Sequence, residues 1–208
     1  MDPESARLTR PRSLSQWMRA RFKTVLDPIA GFFNRLGLAP NTITLFGLAG
    51  NALASVLLAM GQTRLGGLVV LVMGPIDALD GAMARLRGEP TNFGAFVDSV
   101  TDRWSELFIL GGVLTRFALE QNPLGVILSF VAAVGSVMVS YSKARAEALK
   151  FECDVGLLTR LERYLVLSPA LILNVPLAGV GIIAVFANIT AMQRILFVRA
   201  QARRVRRE

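Results

Sequence analysis

Histidine is absent from this 208-residue chain, and cysteine occurs once, at Cys153. Without histidine, the commonest general base and the commonest transition-metal ligand are both missing. Acid–base chemistry therefore falls to carboxylates, lysine or tyrosine. A lone cysteine excludes an intrachain disulfide, a cysteine-based zinc site and a paired-thiol redox centre, and Cys153 reads as a small loop residue. Charge is scarce too: 18% of residues are charged against 53% hydrophobic, and mean hydropathy is +0.50. Ordinary soluble domains are less apolar than this, so the chain reads as one integral membrane domain.

Apolar runs close to the roughly 20 residues that cross the hydrocarbon core fall near 42–61, 65–84, 93–117, 123–148, 161–177 and 178–198. They predict an all-α bundle of six transmembrane helices, separated by the turn sequences GQTRLGG, RGEPTN, EQNPLG and NVPLAG. Ahead of them, residues 13–38 mix Trp17, Phe22, Leu26, Ile29 and Phe33 with Arg19, Arg21, Lys23 and Arg35. This spacing predicts an N-terminal amphipathic juxtamembrane helix, either lying on anionic headgroups or capping the bundle. The expected organisation is a cytoplasmic arm with the interfacial helix over 1–40, a six-helix transmembrane domain over 41–200 and a basic cytoplasmic tail over 201–208.

Six spans put both termini on one side. Of the 23 Lys and Arg, all but Arg64, Arg103 and Arg116 fall in residues 1–40, 85–87, 143–163 and 194–208. The positive-inside rule makes that side cytoplasmic. The net charge of +8 then reflects topology rather than affinity for nucleic acid.

Against this background, DALDGAMARLRGEPTNFGAFVDSVTD at 77–102 places four aspartates between apolar stretches. Each Asp at the middle of a spanning helix costs roughly 2.5–3.5 kcal/mol, so four cost on the order of 10 kcal/mol unless neutralised. Asp77 and Asp80 are three residues apart and Asp98 and Asp102 four, so each pair shares a helical face. Arg85 and Arg103 cannot neutralise four buried carboxylates. A set of four carboxylates with no nitrogen or sulfur ligand is hard and suits two Mg²⁺ or Mn²⁺ ions. Gly81 and Gly94 leave room for a ligand or a neighbouring backbone to approach the acids. A dinuclear centre beside Arg85 is equipment for a diphosphate, and the membrane setting suggests a lipid diphosphate.

The pattern D-x2-D-G-x2-A-R-x8-G-x3-D-x3-D is filled by Asp77, Asp80, Gly81, Ala84, Arg85, Gly94, Asp98 and Asp102, and PNTIT at 40–44 opens the first span. On these residues the chain resembles the CDP-alcohol phosphotransferases. The resemblance implies a CDP-diacylglycerol or archaeal-type donor, with CMP leaving. Asp77, Asp80, Asp98 and Asp102 would hold the metals, and Asp102 would also act as general base. Asn41, Thr44, Gly81, Ala84, Arg85 and Gly94 would bind the CDP-lipid. It further implies a homodimer in a prokaryotic cell membrane, multi-pass, with the site facing the cytoplasm.

Lys143, Arg145, Arg160, Arg163 and Arg194 form a basic cluster on the same side, which would favour an anionic polyol phosphate as acceptor or simply reflect positive-inside charge. SYSKARAEA at 140–148 followed by RLER at 160–163 resembles the phosphatidylinositol phosphate synthase branch. That likeness implies inositol phosphate as acceptor, its phosphate held by Lys143, Arg160 and Arg194. The segment ECDVGLLT at 152–159 departs from the glycine-rich run of that branch. Glycerol 3-phosphate is the alternative acceptor. From another class, a divalent-cation transporter would also place acids in a six-helix bundle, though the sequence shows no internal repeat.

Overall fold

The computed structural model describes residues 26–88 and 91–205. Among these every regular element is a helix: α1, whose described part runs over 26–35, α2 (Pro40–Ala59), α3 (Thr63–Arg87), α4 (Asn92–Leu119), α5 (Pro123–Ala148), α6 (Arg160–Ile172) and α7 (Pro176–Val205). Local chemistry sets the ends. Proline opens α2, α5 and α7, where its missing N–H is not needed. The Thr91 and Asn122 side chains cap α4 and α5 by accepting from the Gly94 and Gly125 amides. Gly88, at φ 69°, ends α3 in the left-handed conformation.

The outside of the bundle is apolar: Leu45, Phe46, Leu53, Leu68, Ile127, Phe130, Val185 and Leu196 are exposed on α2, α3, α5 and α7. Four helices, α2, α3, α5 and α7, are long and apolar enough to cross a bilayer. The other two expected spans differ for separate reasons. α4 has the length, 28 residues, but Asp98, Asp102, Arg103, Glu106 and Arg116 interrupt its apolar run. α6 has only 13 residues, about 20 Å, where the sequence predicted 161–177.

The contacts of α6 explain its shortness. Its first residue, Arg160, reaches Asp77, Tyr164 reaches the Val70 and Leu71 carbonyls, and Leu171 packs on Gly67. Arg116 donates to Asn174 in the α6–α7 turn. So α6 runs antiparallel to the first half of α3, starting at the depth of Asp77. Residues 149–159 lead into α6 as a strap laid on α7. There Glu152 pairs with Gln201, the Leu158 amide donates to Thr190, and Arg194 donates to the Val155 carbonyl.

The main core unites α2–α7 around Leu58, Val70, Leu110, Val113, Leu171, Val180 and Ile183. A smaller cluster packs Leu26 and Ala30 of α1 on Ile43, Leu79, Ala82 and Met83. Arg87 ties α1 down from α3, donating to Asn34 Oδ1 at 2.7 Å and to the Leu38 carbonyl at 2.6 Å. The described part of α1 thus packs on the bundle. Residues 1–25, where the amphipathic helix was expected to begin, lie outside the described residues.

Candidate active site

Asp77 and Asp80 sit on α3 ten and seven residues before its end at Arg87. They face Asp98 and Asp102 near the start of α4. Each carboxylate is held differently. Asp80, 5% exposed, accepts from Thr44 Oγ1 and from the Gly81 amide, both at 2.5 Å. Asp77 accepts from Asn51 of α2 at 3.5 Å. Asp98 stands close enough to Asp77, Asp80 and Asp102 to interact electrostatically with all three.

The counter-charge comes from α6. Arg160 Nη2 lies 2.7 Å from Asp102 Oδ1 and 3.2 Å from Asp77 Oδ2, whereas Arg103 Nη1 is 3.9 Å from Asp102. Arg85 is exposed and lies back along Gly81, its Nη1 3.3 Å from where a Cβ there would stand. The carboxylates are drawn onto a guanidinium, and among the described residues no three acidic side chains close on one point as metal ligands. The donor set still fits a hard divalent ion. It is all carboxylate oxygen, and a cation already bridges two of its members.

The other expected donor-binding residues gather at the same end. Asn41, at the start of α2, approaches Gly94, at the start of α4, with Oδ1 4.0 Å from where a Cβ on Gly94 would stand. Thr44 is bound to Asp80, and Gly81 and Ala84 lie half-buried on the acidic stretch of α3.

The three residues expected to hold the acceptor phosphate divide. Lys143 pairs with Asp154 at 2.6 Å and with Glu147 at 3.5 Å. Arg194, 5% exposed, donates to the Val155 carbonyl at 2.9 Å and to the Val139 carbonyl at 2.5 Å. These two meet on the 153–155 stretch of the strap, while Arg160 is turned into the carboxylates. Between them Cys153 is buried, and burial pushes its thiol up, away from thiolate chemistry.

Two features of the site escaped the sequence. Gly47 on α2 touches Asp77: a Cβ there would overlap the carboxylate Oδ1. The small residues Gly47, Gly50, Ala54 and Ser55 of α2 were the available signal. One turn beyond Asp102, Glu106 forms a two-pronged pair with Arg163, Oε1 to Nε 2.6 Å and Oε2 to Nη2 2.9 Å. Arg163 is 2% exposed and also donates to the Leu158 carbonyl at 3.1 Å. The sequence had counted it among the surface basic residues.

A helical membrane bundle that collects four aspartates between two helices, without histidine or a reactive thiol, has the parts of a transferase acting on phosphate groups. The chain belongs to the CDP-alcohol phosphatidyltransferase family, which it matches over residues 37–200. It is 38% identical over 189 residues to the phosphatidylinositol phosphate synthase of Mycobacterium tuberculosis, covering 85% of this chain and 87% of that one. It is 34% identical over 179 residues to the archaetidylinositol phosphate synthase of Pyrococcus horikoshii, covering 86% and 93%. The crystal structure of the M. tuberculosis synthase with CDP-DAG bound superposes with a TM-score of 0.78 at 34% identity, covering 84% and 94%. A second structure of that enzyme, in complex with manganese and citrate, also gives 0.78, covering 83% and 88%.

Proposed function

We propose that this protein transfers a phosphatidyl group, or its archaeal-type counterpart, from a CDP-lipid to a hydroxyl of inositol phosphate, releasing CMP, in phospholipid synthesis. The observation that carries the reading is the convergence of the eight motif positions. Asp77 and Asp80 face Asp98 and Asp102 across α3 and α4, with Gly81, Ala84, Arg85 and Gly94 beside them; outside the motif, Asn41 and Thr44 of α2 join the same end. Asp77, Asp80, Asp98 and Asp102 would hold two Mg²⁺ or Mn²⁺ ions, which when bound neutralise the diphosphate and draw electron density from the phosphorus under attack. The manganese in the mycobacterial structure supports this assignment.

The acceptor oxygen forms a bond to the lipid-bearing phosphorus as the bond from that phosphorus to the CMP oxygen breaks. Asp102 receives the hydroxyl proton on its carboxylate. Arg160 stands between two anionic partners, the carboxylates and an incoming phosphate, and joins Lys143 and Arg194 in holding the acceptor. The same reading has α2–α7 making six passes, residues 41–200 as the catalytic domain, 1–40 and 201–208 as cytoplasmic extensions, and the chain working as a homodimer in a prokaryotic cell membrane. The archaeal and bacterial relatives both use inositol phosphate in their names, which supports the acceptor and leaves the lipid stereochemistry open.

The test is CMP release by purified protein given CDP-diacylglycerol with inositol phosphate, glycerol 3-phosphate or serine, in Mg²⁺, Mn²⁺ or EDTA. Release with inositol phosphate that EDTA stops and metal restores is expected. Turnover with glycerol 3-phosphate alone would overturn the acceptor, and full turnover in EDTA would overturn the metal chemistry.

A further inference from the structure

α3 interrupts its own hydrogen-bond ladder just before the first aspartate of the site. Pro75 lies inside the helix, two residues ahead of Asp77. It has no N–H to give to the Leu71 carbonyl one turn back. In a spanning helix, water is not at hand to replace that donor. Tyr164 of α6 replaces it: its hydroxyl oxygen lies 2.6 Å from the Leu71 carbonyl oxygen and 2.6 Å from that of Val70. The phenol can come this close because position 74 is glycine, where a Cβ would overlap the ring and its hydroxyl. α2 grips the same turn of α3 through Gly50 against Met73 and Gly47 against Asp77. One turn before Tyr164, Arg160 reaches Asp77 and Asp102.

We propose that Tyr164 is a positioning residue for the acidic site. Its hydroxyl supplies the hydrogen that Pro75 withholds, and that bond fixes α6 against α3 so that Arg160 and Asp77 face each other. The inference rests on the metal-dependent transfer proposed above, and in it Tyr164 acts through Asp77 and Arg160 without touching a reacting atom. A phenol that merely filled space against Gly74 would be replaced without loss by phenylalanine.

The experiment is a double-mutant cycle of Tyr164→Phe and Pro75→Ala in the full chain. It is read as Mn²⁺ affinity from the resonance of the free ion, and as KM and kcat for both substrates. Tyr164→Phe alone should tighten Mn²⁺ binding, because Arg160 then competes less for the carboxylates, and raise the acceptor KM, by about tenfold each, the scale of one lost buried hydrogen bond. Pro75→Ala returns an amide donor to Leu71, so in that background Tyr164→Phe should change either quantity by less than about twofold. Gly74→Ala, which must displace the phenol, should reproduce the effect of Tyr164→Phe by a second route. Equal changes in both backgrounds, or a Tyr164→Phe protein with unaltered Mn²⁺ affinity and acceptor KM, would overturn the proposal. Wild-type protein that neither binds Mn²⁺ nor releases CMP would instead overturn the transfer reading.

Discussion

Arg160 Nη2 on α6 stands 2.7 Å from Asp102 Oδ1 on α4 and 3.2 Å from Asp77 Oδ2 on α3, so one guanidinium joins three helices at the acidic site. Its side chain is 44% exposed, and solvent screening therefore weakens the pairs below their fully buried value. Arg160→Gln should destabilise metal-free protein by about 1–2 kcal/mol, a drop of a few degrees in thermal midpoint. Saturating Mn²⁺ should close the gap, because the metal supplies the missing positive charge. Thermal unfolding in EDTA and in Mn²⁺ checks this, and equal midpoints of wild type and variant in EDTA would contradict it.

Gly47 and Gly67 both lack space for a methyl group, but for different reasons. At 47 the obstruction is the tip of the Asp77 side chain, which can swing aside. At 67 it is the Leu171 Cβ and the α6 backbone, with the Ile172 nitrogen 2.9 Å from the added carbon. Gly47→Ala should therefore keep its thermal midpoint within about 2 °C while losing at least about tenfold in kcat. Gly67→Ala should lose stability, by about 1–3 kcal/mol. Comparable midpoints and activities for the two variants would show that Gly47 does not set the carboxylate.

Much of this arrangement was legible in the sequence, in proportion to how local its causes are. Most breaks between helices followed from the turn sequences GQTRLGG, RGEPTN, EQNPLG and NVPLAG, and the two aspartate pairs followed from helical spacing. Long-range relationships were not legible. Arg160 meets Asp77 across 83 residues and Arg163 meets Glu106 across 57, and no periodicity in one helix reports the rotation of another. Hydropathy also misjudged α6: the apolar run extends to 177 where the helix ends at Ile172, and no such run reports the depth at which a helix begins. The strap at 152–159, read only as a departure from a glycine-rich pattern, sets that depth.

The Glu106–Arg163 pair is a largely buried salt bridge that ties α6 to α4. Glu106→Leu or Arg163→Met alone leaves one buried charge unmatched and should cost about 3–5 kcal/mol. Replacing both with apolar residues, Glu106→Leu with Arg163→Met, should cost less than either single change. Denaturation of the four proteins forms the cycle. Additive losses would mean that the two residues do not act as a pair.

Asp102 differs from Asp77, Asp80 and Asp98 in the role proposed for it. No serine, cysteine or histidine is placed by the motif to carry the phosphatidyl group, so a single displacement needs only a base. Asp102→Asn should lose at least about a thousandfold in kcat and still bind CDP-lipid. Asp77→Asn, Asp80→Asn and Asp98→Asn should lose both transfer and Mn²⁺ binding. A covalent lipid–phosphate adduct on the protein, or ping-pong kinetics, would contradict the single displacement.

The acceptor site is tested by residues of one charge in different settings. Lys143, Arg160 and Arg194 are expected to share the inositol phosphate, each through a charge-assisted hydrogen bond worth about 1.5–3 kcal/mol. Removing one should raise the acceptor KM about ten- to a hundredfold and leave CDP-lipid binding nearly unchanged. Lys143 is held by the side chains of Asp154 and Glu147, so Lys143→Met should act on KM with little loss of stability. Arg194 is buried on two backbone carbonyls of α5 and the strap. Arg194→Gln should therefore raise KM and lower the thermal midpoint together. Arg199 and Arg203 are exposed farther along α7 and carry the same charge, so Arg199→Gln and Arg203→Gln serve as controls that should change KM less than about twofold. Equal weakening by all five substitutions would mean that a diffuse positive field, not a built pocket, attracts the acceptor.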